Sequence, residues 1–461
     1  MTAGRSAGPG PGDGEAGGGM TPTAGDGPTV AVVGSGASGL AAAFHLHRLG
    51  HRVEVIEAGE VPGGRFGIDR LGDKPVMTGG KNIGRRYDLF RAFTEAMGDH
   101  PYMPFGINAS RVENGRVLTL DSDRRLRSLA HFARMGSPRD MLRLVRLARA
   151  IRADRANGYL GSPLFTELAQ ANDHEPLSKQ FGERVTRVLL RPMVIRNNGA
   201  EPDEVYLGTF GTNLAMLLDT YEQLDHGIEP VLAAFAERVP VRLNTTAVAP
   251  VVRDGDVVGL RLSERGGPVQ TREYAAVVLA TTAHAAADIL RGEFPALAKR
   301  LAEPTYFPST VVLVEYDRPF FRTDVRALAM DDGPCTNAGS YGMDERHIVR
   351  YTFSGRQGRA RELTDDLVAA WVDDAERRVS GHLGLTPGRR VRSVVRHWPA
   401  AYCGYTPFHG EFLAGVHQLV GDVPSLALAG DYLRGVSIEG CFRAGHEAGA
   451  RIAARLAEGR P

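Results

Sequence analysis

The stretch Thr29–Glu57 reads TVAVVGSGASGLAAAFHLHRLGHRVEVIE, and it decides the fold. It begins with a short β-branched run, Thr29–Val33, which predicts a strand buried on both faces. A helical pattern over Leu40–Leu49 ends at Gly50, and Arg52–Ile56 is predicted to be a second strand. A strand, a helix and a strand in this order form a βαβ unit with parallel strands. We therefore expect an α/β fold.

Three glycines, at positions 34, 36 and 39, separate the first strand from the helix. In this setting Gly34 allows a tight turn, Gly36 lets the backbone approach a pyrophosphate, and Gly39 lets the helix pack close to the sheet. Glu57 follows the second strand, where a carboxylate can bind the hydroxyls of a ribose with a free 2′-hydroxyl. The pattern predicts FAD or NAD rather than NADP. The expected contacts in this unit are Gly34, Gly36, Ala37, Gly39, Glu57 and Ala58.

Composition excludes several classes of protein. The chain has 461 residues, 43% hydrophobic and 24% charged, which is typical of a globular protein of more than one domain. Its 55 basic and 54 acidic residues nearly cancel, so nucleic acid is not an expected partner. Three cysteines exclude a disulfide framework and disfavour a cysteine zinc site. We see no secretory signal and no apolar run of roughly 20 residues, so a cytoplasmic location is expected.

Further glycines extend the first motif. Gly63-Gly64-Arg65 follows the second strand, and Gly79-Gly80 comes a little later. With these, Val30–Arg65 resembles the N-terminal signature of the superfamily of flavin-containing amine oxidases, protoporphyrinogen oxidases and phytoene desaturases. Two later blocks, LNTTAV over 243–248 and LALAGDYLRGVSIEGCFRAGHEAGARIA over 426–453, are similar to further motifs of that superfamily.

The resemblance implies FAD and roles for individual residues. Gly64 and Arg65 would contact its pyrophosphate, Gly79 and Gly80 would pass close to the flavin ring, and the backbone of Val248 would bind the adenine. Gly430 and Asp431 would meet the ribityl chain and phosphate. The helix that begins near Gly440 would direct its positive end at the flavin C2 carbonyl.

The resemblance also implies an architecture, a Rossmann-like discontinuous FAD-binding domain with an α+β substrate domain that contains an antiparallel sheet. We expect residues 1–28, rich in Gly and Pro, to be a disordered tail. Residues 29–110, 215–290 and 415–461 would form the FAD domain. Residues 111–214 and 291–414 would form the substrate domain, with the active site between the two.

The expected reaction removes two hydrogens from a C–C or C–N bond of an apolar or conjugated small molecule, with a hydride passing to flavin N5. The sequence of the last block most resembles the protoporphyrinogen oxidase and desaturase branches. A specialised metabolite is as plausible a substrate as a haem or carotenoid precursor. Pro308–Glu315 lacks the lysine usual in amine oxidases, which counts against that branch. An amine or amino-acid oxidase remains an alternative. So do a non-redox flavin isomerase or mutase and a flavin-free binding protein.

Catalytic residues are harder to identify. Lys81 follows the second double glycine and could steady the reduced flavin, hold a substrate carboxylate, or be an ordinary surface lysine. Trp398, Tyr402 and Tyr405 could form a wall for the substrate or pack in a core. Cys403 could attach the flavin, but we expect non-covalent FAD. The electron acceptor, oxygen or another carrier, is left open.

A basic segment lies between the motifs. Arg124–Arg155 holds ten arginines and two aspartates, with apolar residues at helical spacing. It could be an amphipathic helix that contacts a membrane surface, or a solvated helical face paired with acidic neighbours, which we favour.

Overall fold

The computed structural model describes residues 28–105, 108–113, 116–121, 135–359 and 362–458. Nearly all of the tail predicted over residues 1–28 therefore lies outside the described residues. The strands in the described part are β1 (Thr29–Val33), β2 (Arg52–Ile56), β3 (Asp69–Leu71), β4 (Lys74–Val76), β5 (Ile83–Gly84), β6 (Tyr102–Pro104), β7 (Asn108–Glu113), β8 (Arg116–Asp121), β9 (Tyr221–Leu224), β10 (Val241–Arg242), β11 (Thr245–Arg253), β12 (Asp256–Glu264), β13 (Val269–Glu273), β14 (Ala276–Leu279), β15 (Tyr306–Tyr316), β16 (Ala327–Ala329), β17 (Cys335–Ser340), β18 (Ile348–Phe353), β19 (Arg390–Cys403) and β20 (Leu426–Leu428).

The described helices are α1 (Ala37–Arg48), α2 (Asp88–Met97), α3 (Pro138–Ala153), α4 (Pro163–Asn172), α5 (Leu177–Gln180), α6 (Glu183–Val185), α7 (Arg191–Asn198), α8 (Phe210–Leu217), α9 (Glu229–Ala236), α10 (Ala283–Leu290), α11 (Pro295–Leu301), α12 (Asp365–Leu383), α13 (His409–Gly421), α14 (Asp431–Arg434) and α15 (Ile438–Glu458). A π-helical turn, Thr186–Leu190, joins α6 to α7. Short 3₁₀ helices cover Gly64–Phe66, Arg155–Gly158, Leu207–Thr209 and Arg356–Gly358.

A five-stranded parallel sheet contains the two strands predicted from the N-terminal motif. Its order is β10-β2-β1-β14-β20, and Val33 of β1 lies opposite Ile56 of β2 and Leu279 of β14. Every strand is parallel to its neighbours, and β1, β2, β14 and β20 are largely buried. The α/β fold and the bounds of both predicted strands are confirmed.

One predicted strand is divided in two. The apolar run over 241–252 predicts one strand, but the structure breaks it at Asn244, which has a φ of 53°. A left-handed residue interrupts the extended chain. The first piece, β10, joins the parallel sheet next to β2, whereas β11 pairs with β12 in a separate three-stranded antiparallel sheet.

Apolar and polar residues alternate over 305–354 and 391–403, which predicts an antiparallel sheet. A seven-stranded sheet, of order β19-β15-β18-β17-β16-β7-β8, confirms it, and one parallel pair, β16 with β7, adds the hairpin of β7 and β8. Because strand side chains alternate between faces, the sheet has two different surfaces. In β18, Val349, Tyr351 and Phe353 pack in an apolar core together with α12. Arg350 and Thr352 point to the other side, which faces a cavity.

The arginine-rich segment forms a helix where it is described. Helix α3 begins after Ser137, whose hydroxyl accepts a hydrogen bond from the backbone N–H of Asp140. One face of α3 is buried through Leu144, Leu147 and Ile151, while Leu142 and Val145 are exposed. Residues 124–134 of the segment lie outside the described residues. None of the described helices is both long and apolar enough to cross a membrane. Contact of this segment with a membrane surface stays an untested alternative to the solvated face that we favour.

Helix α15 packs against α1 so closely that only glycine fits at one crossing point. A Cβ on Gly445 would lie 2.0 Å from the carbonyl oxygen of Ser38 and 2.8 Å from the Cβ of Ala41. We expect Gly445→Ala to lower the free energy of unfolding by about 1–3 kcal/mol, because the two helices must separate. Urea unfolding followed by circular dichroism measures this.

Gly381 provides the matched control. It lies in α12, is exposed, and a Cβ there would meet nothing within 4 Å. Gly381→Ala should raise the stability by about 0.5–1 kcal/mol, since alanine is the better helix former. Equal effects of the two substitutions would contradict the close packing of α1 and α15.

Candidate active site

The glycine-rich loop after β1 shows three different environments. Gly34 has a φ of 98°, and a Cβ there would lie 2.6 Å from the carbonyl oxygen of Ala280. A Cβ on Gly39 would overlap the carbonyl oxygen of Gly34 at 1.8 Å, whereas one on Gly36 would meet nothing within 4 Å. The tight turn and the close helix–sheet packing predicted for Gly34 and Gly39 are confirmed. Gly36 borders open space at the N-terminus of α1.

Glu57 is held against this loop. Its Oε2 accepts hydrogen bonds from the Ser35 backbone N–H at 2.9 Å and from the Ser35 hydroxyl at 2.6 Å. Its Oε1 accepts one from the backbone N–H of Gly59 at 2.7 Å. Each carboxylate oxygen has two lone pairs, so further acceptor capacity remains for a ligand hydroxyl.

Arg65 and Asp431 come from opposite ends of the sequence and form an ion pair. Arg65 Nη1 lies 2.6 Å from Asp431 Oδ2 and also donates to the carbonyl oxygens of Ala401 and Ala400, at 3.1 and 3.4 Å. Asp431, 2% exposed, accepts a second hydrogen bond at 2.8 Å from the hydroxyl of Tyr306. Burial alone would lower the pKa of Arg65, but the Asp431 carboxylate outweighs it and raises that pKa.

The second double glycine packs against the same region. A Cβ on Gly79 would overlap the carbonyl oxygen of Arg65 at 1.5 Å, so this position tolerates no side chain. Arg350 of β18 donates to the carbonyl oxygens of Gly79 and Met77, at 3.0 and 3.4 Å. The glycine segment is thereby attached to the seven-stranded sheet.

A cavity of about 500 Å³ lies between these elements. One end is bordered by Gly36, Ala37, Ser38, Arg65, Gly79, Gly80, Gly430, Asp431 and Ile438. The rest is bordered by the polar face of the seven-stranded sheet, by Trp398 and Tyr402 of β19, and by the π-helical turn with α7 and α8. Predicted contacts from the N-terminal signature, the second double glycine and the C-terminal block therefore border a single cavity.

Lys81 also lines this cavity. Its Nζ is shielded from solvent and has no hydrogen-bond partner among the described residues. It lies 3.6 Å from the centroid of the Tyr341 ring and 5.5 Å from that of Phe105. Burial, followed by the charges of Arg350 and Lys74, holds the pKa of Lys81 well below its usual range. Lys81 is therefore not an ordinary surface lysine.

Other predicted residues lie outside the described lining of the cavity. Tyr405 has a φ of 60°, is buried, and packs its ring 5.1 Å from that of His409. Val248 is 42% exposed and occupies a bulge of β11, where it has no partner in the β12 ladder. Ala58 is exposed, and Gly440 lies in the first turn of α15. Gly64 is next to the loop, because a Cβ on it would lie 3.3 Å from the Cα of Gly36.

Several residues of the site were not identified from the sequence. Arg350, Arg196 of α7 and the hydroxyl of Tyr306 are the clearest of them. For Arg350 the sequence does contain a signal. Apolar and polar residues alternate in β18, a central strand, and an arginine occupies one of the polar positions. The other two have no comparable local signal.

Comparison with known proteins identifies the family. The family model described as flavin-containing amine oxidoreductase matches residues 37–453. A phytoene dehydrogenase of Streptomyces griseus is 52% identical over 50 residues, which are 11% of this chain and 10% of that protein. The match to this curated relative thus spans a tenth of its length.

Two solved structures extend the comparison to nearly the whole chain. Cyclohexylamine oxidase from Brevibacterium oxydans IH-35A superposes with a TM-score of 0.70 at 20% identity, over 93% of this chain and 99% of that one. A provisionally named protoporphyrinogen oxidase from Exiguobacterium sp. 255-15 gives a TM-score of 0.67 at 17% identity, with the same coverage. At this identity the two structures establish the fold, and the family model establishes the family. The chain belongs to the flavin-containing amine oxidoreductases and is an FAD-dependent oxidoreductase.

Proposed function

We propose that the protein removes two hydrogens from a C–C or C–N bond of an apolar or conjugated small molecule. The observation that carries the proposal is the single cavity that extends from the glycine-rich loop to the aromatic residues of β19. FAD, when bound, supplies the acceptor for the hydride that leaves the substrate carbon. The chain positions this carbon and excludes water from it.

The residues at one end of this cavity suit the binding of FAD. Gly36 leaves room where a side chain would stand, and the unpaired N–H groups at the N-terminus of α1 favour a pyrophosphate there. We propose that Arg65 and Asp431 hold the pyrophosphate and ribityl parts and that Glu57 holds the ribose. We propose that the backbone of Val248, which has no partner in the β12 ladder at this bulge, binds the adenine.

The remaining lining favours positioning over acid–base catalysis. Among the described lining residues there is no histidine, and Asp431 is the single carboxylate. Asp431 is already engaged by Arg65 and Tyr306. Loss of a hydride does not require a protein base at the carbon that is oxidised. We propose that Trp398 and Tyr402 provide the flat apolar surface against which the substrate lies.

The same lining supports the desaturase-like branch over a typical amine oxidase. The residues of β15 that line the cavity are Ser309 and Val311, so this strand presents no lysine to it. The local identity to a phytoene dehydrogenase agrees with this choice but covers 11% of the chain.

We also propose the division into an FAD domain and a substrate domain. In its support, the parallel sheet takes its strands from residues 29–56, 241–279 and 426–428, and the seven-stranded sheet takes its strands from 108–121 and 306–403. The boundary between residues 110 and 111 falls inside β7, so we place it before residue 108.

Removal of one carboxylate tests the cofactor assignment. Glu57→Ala should lower the affinity for FAD by about ten-fold, because two loop contacts and the ribose acceptor are lost. The ratio of flavin to protein absorbance after dialysis measures it. Glu60→Ala, an exposed neighbour, is the control. Unchanged flavin content in Glu57→Ala would refute the assignment.

We expect the FAD to be non-covalent. Cys403 is fully buried away from the described lining, and burial raises the pKa of its thiol well above the usual value. Cys441 lines the cavity, but burial raises the pKa of its thiol to about 12. Both groups are therefore poor nucleophiles at neutral pH. Acid precipitation should release yellow FAD into the supernatant. Yellow colour retained in the pellet of wild type but lost in Cys441→Ser would contradict this.

Anaerobic bleaching tests the reaction. Conjugated or apolar molecules with a removable hydrogen pair should bleach the flavin absorbance, and re-oxidation should leave a product two hydrogens lighter by mass spectrometry. Bleaching by simple primary amines alone would favour an amine oxidase. Turnover without loss of hydrogen would favour an isomerase.

A further inference from the structure

The charge of the cavity is strongly one-sided. Against the single carboxylate of Asp431, the described lining holds several arginines and Lys81. Some are neutralised: Arg65 by Asp431, Arg191 by Glu201 at 2.7 Å, and Arg111 by Asp331 at 3.5 Å. Three other cations of the lining lack such a partner.

These three are Lys81, Arg196 and Arg350. No carboxylate of a described residue lies within 4.0 Å of any of them. Arg350 bonds to two backbone carbonyls, and Arg196 is exposed, which places it where the cavity meets solvent. They come from separate elements, the segment after Gly80, α7 and β18, and all border the same space.

Three buried donor atoms in this lining have no acceptor among the described residues, Lys81 Nζ, the indole Nε1 of Trp398 and Nε of Arg111. Arg111 already pairs through its other nitrogens with the carbonyl oxygen of Val188 and with Asp331, whereas Lys81 and Trp398 make no side-chain hydrogen bond to a described residue. Indole N–H and ammonium groups donate and do not accept. A buried donor without an acceptor costs free energy, and a buried ammonium without a counter-ion costs more. A bound acceptor with negative charge would satisfy both kinds of group.

The pKa shifts of these cations also favour an anionic ligand. Burial, followed by repulsion from Arg350 and Lys74, lowers the pKa of Lys81. Burial also lowers the pKa of Arg350, and Arg196 contributes to this. These cations therefore repel one another, and an anion placed between them would relieve that repulsion. A cationic substrate would add to it.

Part of the lining opposite the sheet is apolar, which limits the size of the anionic part. Val188 and Leu189 of the π-helical turn, Met193 of α7 and Leu217 of α8 border the cavity opposite the sheet. An inorganic anion would leave this surface without a partner. An apolar body with one acidic group complements both parts.

We propose that the substrate is an apolar molecule bearing a carboxylate, and that Lys81, Arg196 and Arg350 bind this carboxylate. This inference rests on the proposed function, since it names the substrate class of the same cavity. Among the roles that the sequence position of Lys81 allows, this proposal selects the binding of a substrate carboxylate. Amines without an acid group are excluded by the same charges.

Titration of the FAD-loaded protein with a matched set of aromatic probes tests the proposal. Benzoate, benzamide and benzylamine have similar size and differ in charge. Binding is followed by the change in flavin absorbance or in tryptophan fluorescence. Benzoate should bind about ten-fold or more tightly than benzamide, and benzylamine most weakly, because a charge-assisted hydrogen bond is lost each time.

Variants then assign the interaction to residues. Lys81→Met should weaken benzoate about ten-fold and leave benzamide unchanged, whereas Lys81→Arg, which retains the charge, should restore benzoate binding. Lys179→Met removes an exposed lysine of α5 outside the described lining and should change neither. If Lys81→Met does not fold, Arg196→Met at the exposed end should still weaken benzoate selectively.

The proposal is overturned if benzylamine binds as well as benzoate. It is also overturned if Lys81→Met binds benzoate like wild type, or if it loses FAD while benzoate affinity is unchanged, because Lys81 would then pair with the cofactor. A protein that takes up no flavin would instead refute the proposed function. The two failures are thus distinct.

Discussion

The ion pair between Arg65 and Asp431 connects parts of the chain that local structure alone would leave separate. Arg65 follows the first glycine motif, Asp431 opens α14, and the carbonyls of Ala400 and Ala401 belong to β19. One guanidinium therefore joins the N-terminal block, the C-terminal block and the edge strand of the seven-stranded sheet. Removal of Arg65 would leave the buried carboxylate of Asp431 without its counter-charge, which costs about 3–5 kcal/mol. The contact attaches the end of β19 that carries Trp398 and Tyr402 to the N-terminal block, while the rest of β19 is held by its ladder with β15.

The sequence predicts what is determined locally. The turn at Gly34 and the approach of Gly39 to it involve residues five apart, and the apolar runs of β1 and β2 require two buried faces. These features were therefore predicted to the residue. The division at Asn244 was not, because a left-handed asparagine in an apolar run carries no distinct pattern.

The candidate site was predicted less completely, for a related reason. Trp398 and Tyr402 are an even number of positions apart in β19, and both border the cavity. The strand ends at Cys403, before Tyr405. Tyr405 has a positive φ, so the alternation of side chains between the two faces of the strand no longer applies to it, and it packs against His409. The meeting of Arg350 with Arg196 depends on the register of β18 against β15 and β17 and on the placement of α7. Neither the register of β18 nor the placement of α7 can be predicted from a short stretch of sequence.

Overall charge conceals the character of the cavity. The formal net charge is +1, yet Lys81, Arg196 and Arg350 border one cavity with no carboxylate of a described residue within 4.0 Å of any of them. Such an arrangement reduces stability because cations are desolvated near one another. It is retained in a folded protein only if the remaining core compensates, and the largely apolar parallel sheet provides such a core.

The π-helical turn at Thr186–Leu190 has a consequence for how this cavity can change through evolution. A π turn is an α-helix with one residue too many, so the deletion of a single codon would restore regular helix. Each residue of an α-helix advances the side chains by about 100°. Val188 and Leu189 of this turn border the cavity, so that deletion would change which side chains of the turn face it. Substrate shape can thus be altered by insertion or deletion at one point, without any substitution in the residues that bind the cofactor.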